Sequence, residues 1–217
     1  MFSFLVSSLF KNGLINYLID NIEEYEEIKL KDIGLTYAGL SGKTKEDFDK
    51  GNCKFINFVS VLNDNISIDM LPMVKIKNGE KQNEVQKSDI FFNTSSEVKE
   101  EVGLCSTICE NVSNVYLNSF CFGFRISDIN KVNNEYLNCL LHCNAYRKQI
   151  SNLGQGFTRV NISKNELLDL LVKIPKSKIQ HEIIEVNRKI SNKLKLEEVK
   201  YQKLNKIKKG LLQNMFV

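Results

Sequence analysis

The residues of this chain best suited to chemistry are donors to anions and base edges. Arg159 ends the glycine-rich stretch Gly154-Gln155-Gly156-Phe157-Thr158-Arg159. A guanidinium presented on such a loop is a rigid fork that fits guanine O6 and N7, or a phosphate; the alternative is an internal salt bridge. Lys43, Thr44 and Lys45 lie in a loop rich in Gly, Lys, Thr and Asp. There they either grip a phosphate backbone or are simply solvated. Thr94, Ser95, Ser96 and Gln155 offer hydroxyl and amide groups at junctions of strand and loop, where meeting a base and capping a turn are both open to them. Arg125, at a strand end, has Asp128 as its nearby sequence partner.

Catalytic arrangements fail on spacing. Gly42-Lys43-Thr44 tempts toward a phosphate-binding P-loop, but the first glycine of that motif should stand at Tyr37 and no apolar strand leads into it. There is no Asn-Pro-Pro-aromatic or Asp-Pro-Pro-aromatic motif for adenine methylation and no glycine-rich S-adenosylmethionine loop. His142 and His181 fall on expected helices with no serine, cysteine or carboxylate constellation. The six cysteines (53, 105, 109, 121, 139, 143) include no C-x-x-C, and Cys139 and Cys143 sit one turn apart on an apolar helix. The expectation is reduced, buried thiols, no metal, no cofactor and no enzyme activity.

The net charge of +4 conceals an asymmetry. From Leu170 onward 12 Lys/Arg face 4 Asp/Glu, a net +8, which leaves −4 for residues 1–169. A body of that sign meets nucleic acid through a local patch, whereas the tail could feel phosphate more diffusely or use its lysines to solvate a helix face. Residues 1–9 are apolar without a basic start, and nothing nearby is long enough to span a bilayer. A cytoplasmic protein without membrane contact is expected.

These residues need elements to position them, and the patterning describes a mixed α/β body. Residues 4–19 look helical. An acidic linker at 23–27 gives way to Ile28, Leu30 and Ile33. Alternation predicts strands at 54–62, 74–77, 87–93 and, most strongly, 115–126, with Phe120, Phe122, Phe124 and Ile126 on one face. Helical spacing returns over 134–149, Ser163 caps a short helix with Glu166 at the capping-box position, and 172–174 read as a strand before Pro175.

After Pro175 the pattern changes scale. Ser177 and Gln180 form an S-x-x-Q capping box, and Ile183, Val186, Ile190, Leu194, Tyr201, Leu204, Ile207, Leu211 and Met215 then recur at three- and four-residue steps. The spacing predicts one helix of about 38 residues, roughly 57 Å long, whose narrow seam suits packing against another long helix. Residues 11–19 (KNGLINYLI) match 208–216 (KKGLLQNMF) in chemical type at nearly every position. That is an internal repeat, read as the tail of one unit followed by one complete unit.

Taken in order, Ile28-Lys29-Leu30, the segment Ser88-Asp89-Ile90-Phe91-Phe92-Asn93-Thr94-Ser95, the segment Gly156-Phe157-Thr158-Arg159-Val160-Asn161-Ile162-Ser163, Ile174-Pro175 and a long helix ending Lys-Lys-Gly-Leu-Leu-Gln resemble the DNA-specificity subunit of type I restriction-modification systems. The chain departs from the family's pattern at Tyr25, where tryptophan is common, and at His181-Glu182, which follows Gln180 where Glu-Gln usually precedes the helix. The resemblance implies an N-terminal segment 1–24 equivalent to the end of a preceding helix, a target recognition domain over 25–175 and a spacer helix over 176–217 that pairs in an antiparallel coiled coil. It implies double-stranded DNA, a methyltransferase subunit and a restriction subunit as partners, and either a homodimer or pairing with a second half-subunit. A module of a fused methyltransferase-nuclease, and a coiled-coil mimic that does not read DNA, remain as alternatives.

Overall fold

A computed structural model describes residues 2–62 and 66–215. In chain order the elements are α1 (Phe2–Asp20), β1 (Tyr25–Lys29), α2 (Leu30–Ile33), β2 (Gly34–Ala38), β3 (Phe48–Ile56), α3 (Phe58–Val61), β4 (Met73–Val74), β5 (Ile90–Asn93), β6 (Ser95–Ser96), β7 (Cys105–Thr107), β8 (Val115–Leu117) and β9 (Cys121–Ile126). They continue with α4 (Asn134–His142), α5 (Asn144–Asn152), β10 (Val160–Asn161), α6 (Lys164–Leu168), β11 (Leu171–Pro175) and α7 (Ser177–Met215).

Side-chain alternation on the central sheet decides what packs where. Its strands run in the order β2-β9-β5-β7, each antiparallel to its neighbour. Ile90, Phe92, Phe122 and Phe124 share one face with Tyr136, Leu137 and Leu140 of α4 and Ile150 of α5. Ile15 and Ile19 of α1 and Ile183 and Ile184 of α7 close the same cluster, so both terminal helices are rooted in the domain core. Phe91 and Cys121 serve a second cluster with Ile56, Val61, Val115 and Leu117, under a three-stranded sheet of order β4-β3-β8. With both faces of β5 covered, the uninterrupted apolar run Ile90-Phe91-Phe92 follows.

Several expected elements divide. The apolar run 115–126 is two strands in two sheets, separated by a turn in which the Asn118 side chain accepts from Phe120 N at 2.8 Å and donates to Ile56 O at 3.0 Å. Phe120 therefore leaves the Phe122, Phe124 and Ile126 face and stands in solvent. The strand expected over 54–62 ends at Ile56, because the Asn57 side chain accepts from Ser60 N and caps α3. The helix expected over 134–149 is α4 and α5, broken where Cys143 takes an extended conformation (φ −68°, ψ 149°). Part of the acidic linker is the strand β1, and only Met73 and Val74 of 74–77 and its preceding residue pair as strand. The cap on α6 is as expected, with Ser163 Oγ accepting from Glu166 N.

The root of α7 is built differently from a capping box. Ser177 already lies in the helix, its hydroxyl 3.2 Å from Nδ1 of His181. Gln180 is buried, and its amide donates to Lys131 O and Pro175 O at 2.8 Å each while its oxygen accepts from Asn133 N at 2.9 Å. β1 and β11 pair antiparallel just before the helix, and Lys176 meets Glu24 at 2.6 Å. Arg188 on α7 binds the carboxylate of Glu135 on α4, Nε to Oε2 at 2.8 Å. Together these contacts fix the direction in which a helix of 39 residues, about 58 Å, leaves the domain.

α1 lies antiparallel along the first half of α7. Its C-terminal end sits beside the start of α7 through the Glu24–Lys176 pair, while Lys11 and Asn16 face Arg188 and Lys195 across a cleft of about 240 Å³. The repeat segment 11–19 is thus paired within this chain, whereas 208–213 have no such cover and are largely exposed. Along the seam Ile183 is buried, Val186, Ile190 and Leu194 are half-buried, and Tyr201, Leu204, Ile207 and Leu211 are exposed. The side chain of Met215, and residue 216 of the repeat, lie outside the described residues.

Candidate nucleic-acid interface

One edge of the domain collects most of the polar residues singled out from the sequence. Asn93, wholly buried, donates to Glu101 O and accepts from Ser95 N, which turns the chain out of the central sheet at Thr94. Thr94 Oγ1 donates to Phe120 O at 2.8 Å, and Thr94 O accepts from Ile162 N at 3.0 Å. β6 then pairs antiparallel with β10, Ser95 opposite Asn161 and Ser96 opposite Val160. Gln155 and Asn161 exchange both backbone hydrogen bonds at 2.8 Å and so close the 156–160 loop as a narrow hairpin. At its start Gly156 adopts φ +120°, and a Cβ there would fall 2.2 Å from Arg159 O, so only glycine fits without strain.

The exposed tip of this edge carries Gln155, Phe157, Thr158 and Arg159. Among the described residues the Arg159 guanidinium has no salt-bridge partner, the alternative the sequence left open, and it lies over the Phe120 ring, 5.9 Å from guanidinium carbon to ring centroid. Phe120 is 59% exposed and Phe157 fully so. Neither aromatic was picked out by sequence pattern: Phe120 was hidden in an apolar alternation, and Phe157 shows only as an apolar residue between glycine and threonine in a polar loop. The Ser95 hydroxyl is buried with no hydrogen-bond partner among the described residues. Ser96 Oγ donates to Glu101 at 2.9 Å and accepts from Val98 N, so it shapes the turn.

The 43–45 loop is a separate feature, and its lysines differ. Lys43 is drawn inward, its side chain 5% exposed, with its ammonium on Glu80 and on Lys75 O at 2.6 Å. The Glu80 carboxyl is pulled down to about 2 by Lys43, with help from the Lys77 N–H and the Gln82 amide. Thr44 and Asp47 cap a single 3-10 turn through Thr44 N and Oγ1, which hold the Asp47 carboxyl below its usual range. Lys45 is exposed. Arg125 corrects another expectation. It binds Asp89, not Asp128, bidentately at 2.8 Å, with Tyr37 Oη donating to the same carboxylate at 2.7 Å. Asp89 is fully buried, and losing Arg125 would strand its charge.

The edge offers donors, hydroxyls and aromatic faces but no reaction centre. No group of three or more His, Cys, Asp or Glu among the described residues could hold a metal. None of the six cysteines is in a disulfide and, except Cys109, they are buried. Burial pushes the Cys143 thiol up to about 12 and Cys121 up to about 11, and partial desolvation beside the Glu135 carboxylate lifts Cys109 to about 11, far from the thiolate a nucleophile needs. No helix among the described residues is long and apolar enough to cross a membrane.

Comparison with known proteins fits this arrangement. A family model described as the type I restriction modification DNA specificity domain matches residues 22–208. No curated protein matches the chain significantly. Among solved structures, a chain from work on complex assembly and conformational transition of the type I R-M system superposes with a TM-score of 0.66 at 13% identity, over 95% of this chain and 50% of that one. The HsdS subunit from Thermoanaerobacter tengcongensis follows at 0.59 and 12%, over 89% and 45%, and the S subunit from M. genitalium at 0.51 and 15%, over 76% and 38%. At these identities the likeness is one of fold, and the chain spans half or less of each relative's length. The family model spans most of the chain and its glycine-rich hairpin, strand β11 and long helix: the chain belongs to the type I restriction-modification DNA specificity domain family, whose members are non-catalytic.

Proposed function

We propose that this chain is a sequence-specific DNA-binding specificity subunit that directs partner methyltransferase and restriction subunits to a bipartite target. One observation carries the reading: the apolar seam of α7 is buried at its root and bare from Leu196 onward, on a helix far longer than the domain needs. Such an arm pairs with a second long helix, from another copy or from a second half-subunit, and so holds two recognition domains at a fixed separation with an unread gap between half-sites. Two identical copies related by a two-fold axis read an inverted repeat.

In this reading residues 25–175 are the DNA reader, 176–217 the spacer, and 1–24 the equivalent of a preceding helix end. Arg159 makes the leading base or phosphate contact, with Thr94 and Gln155 beside it; the buried Ser95 hydroxyl makes none, and Lys45 reaches the backbone from the 43–45 loop. Lys43, Thr44 and Ser96 hold those loops in shape. The work takes place in the cytoplasm. Methylation mapping of a host carrying the gene should return a bipartite palindromic motif; an asymmetric motif overturns the identical-copy form. Solution mass, alone and with the methyltransferase, counts the copies. A chain that assembles with the methyltransferase in a gel shift yet confers no sequence preference would be a mimic, not a reader.

A further inference from the structure

We infer that Phe157 is a stacking wedge that enters the DNA duplex at one base step beside the Arg159 contact; the inference rests on the DNA-reading role proposed above. Phe157 is fully exposed at the tip of the hairpin closed by Gln155 and Asn161. Its neighbours Gly154, Gln155, Gly156, Thr158 and Arg159 supply no contiguous apolar patch of the kind that docks a protein surface. What surrounds the ring is what a duplex needs instead. The Arg159 guanidinium, two residues on, is oriented over the half-exposed Phe120 ring and can neutralise phosphate or fork onto a base.

Rigidity is the second requirement, because unstacking a base step is costly and a loose ring would not drive it. The hairpin meets it. Both backbone bonds between Gln155 and Asn161 are 2.8 Å, Gly156 at φ +120° lets Arg159 O pack where a side chain would stand, and Thr94 ties the hairpin to the Phe120 turn through Phe120 O and Ile162 N. Since the easiest steps to open are pyrimidine–purine, the wedge enters a TA or CA/TG step, and every such step contains an adenine or a thymine that can report on it.

The experiment selects bound duplexes from a random pool with the chain, alone and with its methyltransferase. Each adenine of the selected site is then replaced in turn by 2-aminopurine, and each thymine probed with permanganate. The expected result is one step that becomes fluorescent and reactive on binding. With Phe157→Ala that signal is lost and affinity falls by about tenfold or more, while Phe157→Leu keeps part of both; the residue is exposed, so thermal unfolding should be unchanged in each. A selected site with no responding step, or wild-type affinity in Phe157→Ala, overturns the wedge and leaves DNA reading intact. Loss of methyltransferase binding in Phe157→Ala, with DNA contact unchanged, assigns the ring to a protein surface and also overturns it. If no duplex is bound selectively under either condition, DNA reading and wedge fall together.

Discussion

Gln180 offers the sharpest test of how the long helix is joined to the domain. Its side chain is 1% exposed and makes three hydrogen bonds, two as donor to Lys131 O and Pro175 O and one as acceptor from Asn133 N. Each is worth about 1 kcal/mol net, and each backbone group left buried without a partner costs about 1–3 kcal/mol. Gln180→Ala removes all three at once and opens a hole at the helix root, so a loss of about 3–5 kcal/mol is expected, the lower end if water enters. Gln180→Glu tests the geometry without the hole. The new carboxylate keeps the Asn133 bond but turns negative oxygen toward two carbonyls, which favours its neutral form and raises its folded-state pKa above the unfolded value of about 4.3. A raised pKa means that the stability is fully present below the unfolded pKa and lost as pH rises through the folded one. The penalty of Gln180→Glu relative to wild type should therefore be small near pH 4 and grow toward pH 7. Urea unfolding of the three proteins across that range measures it. Midpoints within about 0.5 kcal/mol of wild type, or a Gln180→Glu penalty flat with pH, would refute the clamp.

Three further outcomes follow from other contacts. The Lys43–Glu80 pair depresses the Glu80 carboxyl, so its contribution is present above about pH 4.5 and lost as pH falls toward 2; the gap in melting temperature between wild type and Lys43→Met should close over that window, and a gap unchanged at pH 2.5 would show that the pair contributes nothing. Arg159→Ala should leave thermal stability unchanged, since the side chain is exposed, yet reduce selective DNA binding at fixed salt by about 1–3 kcal/mol; unchanged selectivity would remove Arg159 from the interface. Ile207→Glu, on the bare half of α7, should shift unfolding by less than about 0.5 kcal/mol while lowering the solution mass of any assembly joined through that helix; an unaltered mass would exclude the seam as the joint.

Features that depend on neighbours in the chain were legible before any coordinates. The period of apolar residues after Pro175 marks a helix whatever it packs against, Ser163 caps its own next turn, and Val172-Lys173-Ile174 is a strand that ends at Pro175, because each signal is set within one or two turns of backbone. The order of segments likewise marked the family. What sequence could not decide are contacts between residues far apart in the chain. Arg125 finds Asp89, 36 positions away, rather than Asp128; Lys43 is withdrawn from solvent by Glu80; and Gln180 spans 47 positions to reach Asn133 instead of capping its own helix. The runs 115–126 and 134–149 look continuous because apolar spacing persists on both sides of each break, and only the packing of Asn118 on Ile56 and the turn at Cys143 divides them. Phe120 and Phe157 became visible only once the fold had left both rings in water, for no pattern within a polar loop distinguishes a ring that will be buried from one that will not.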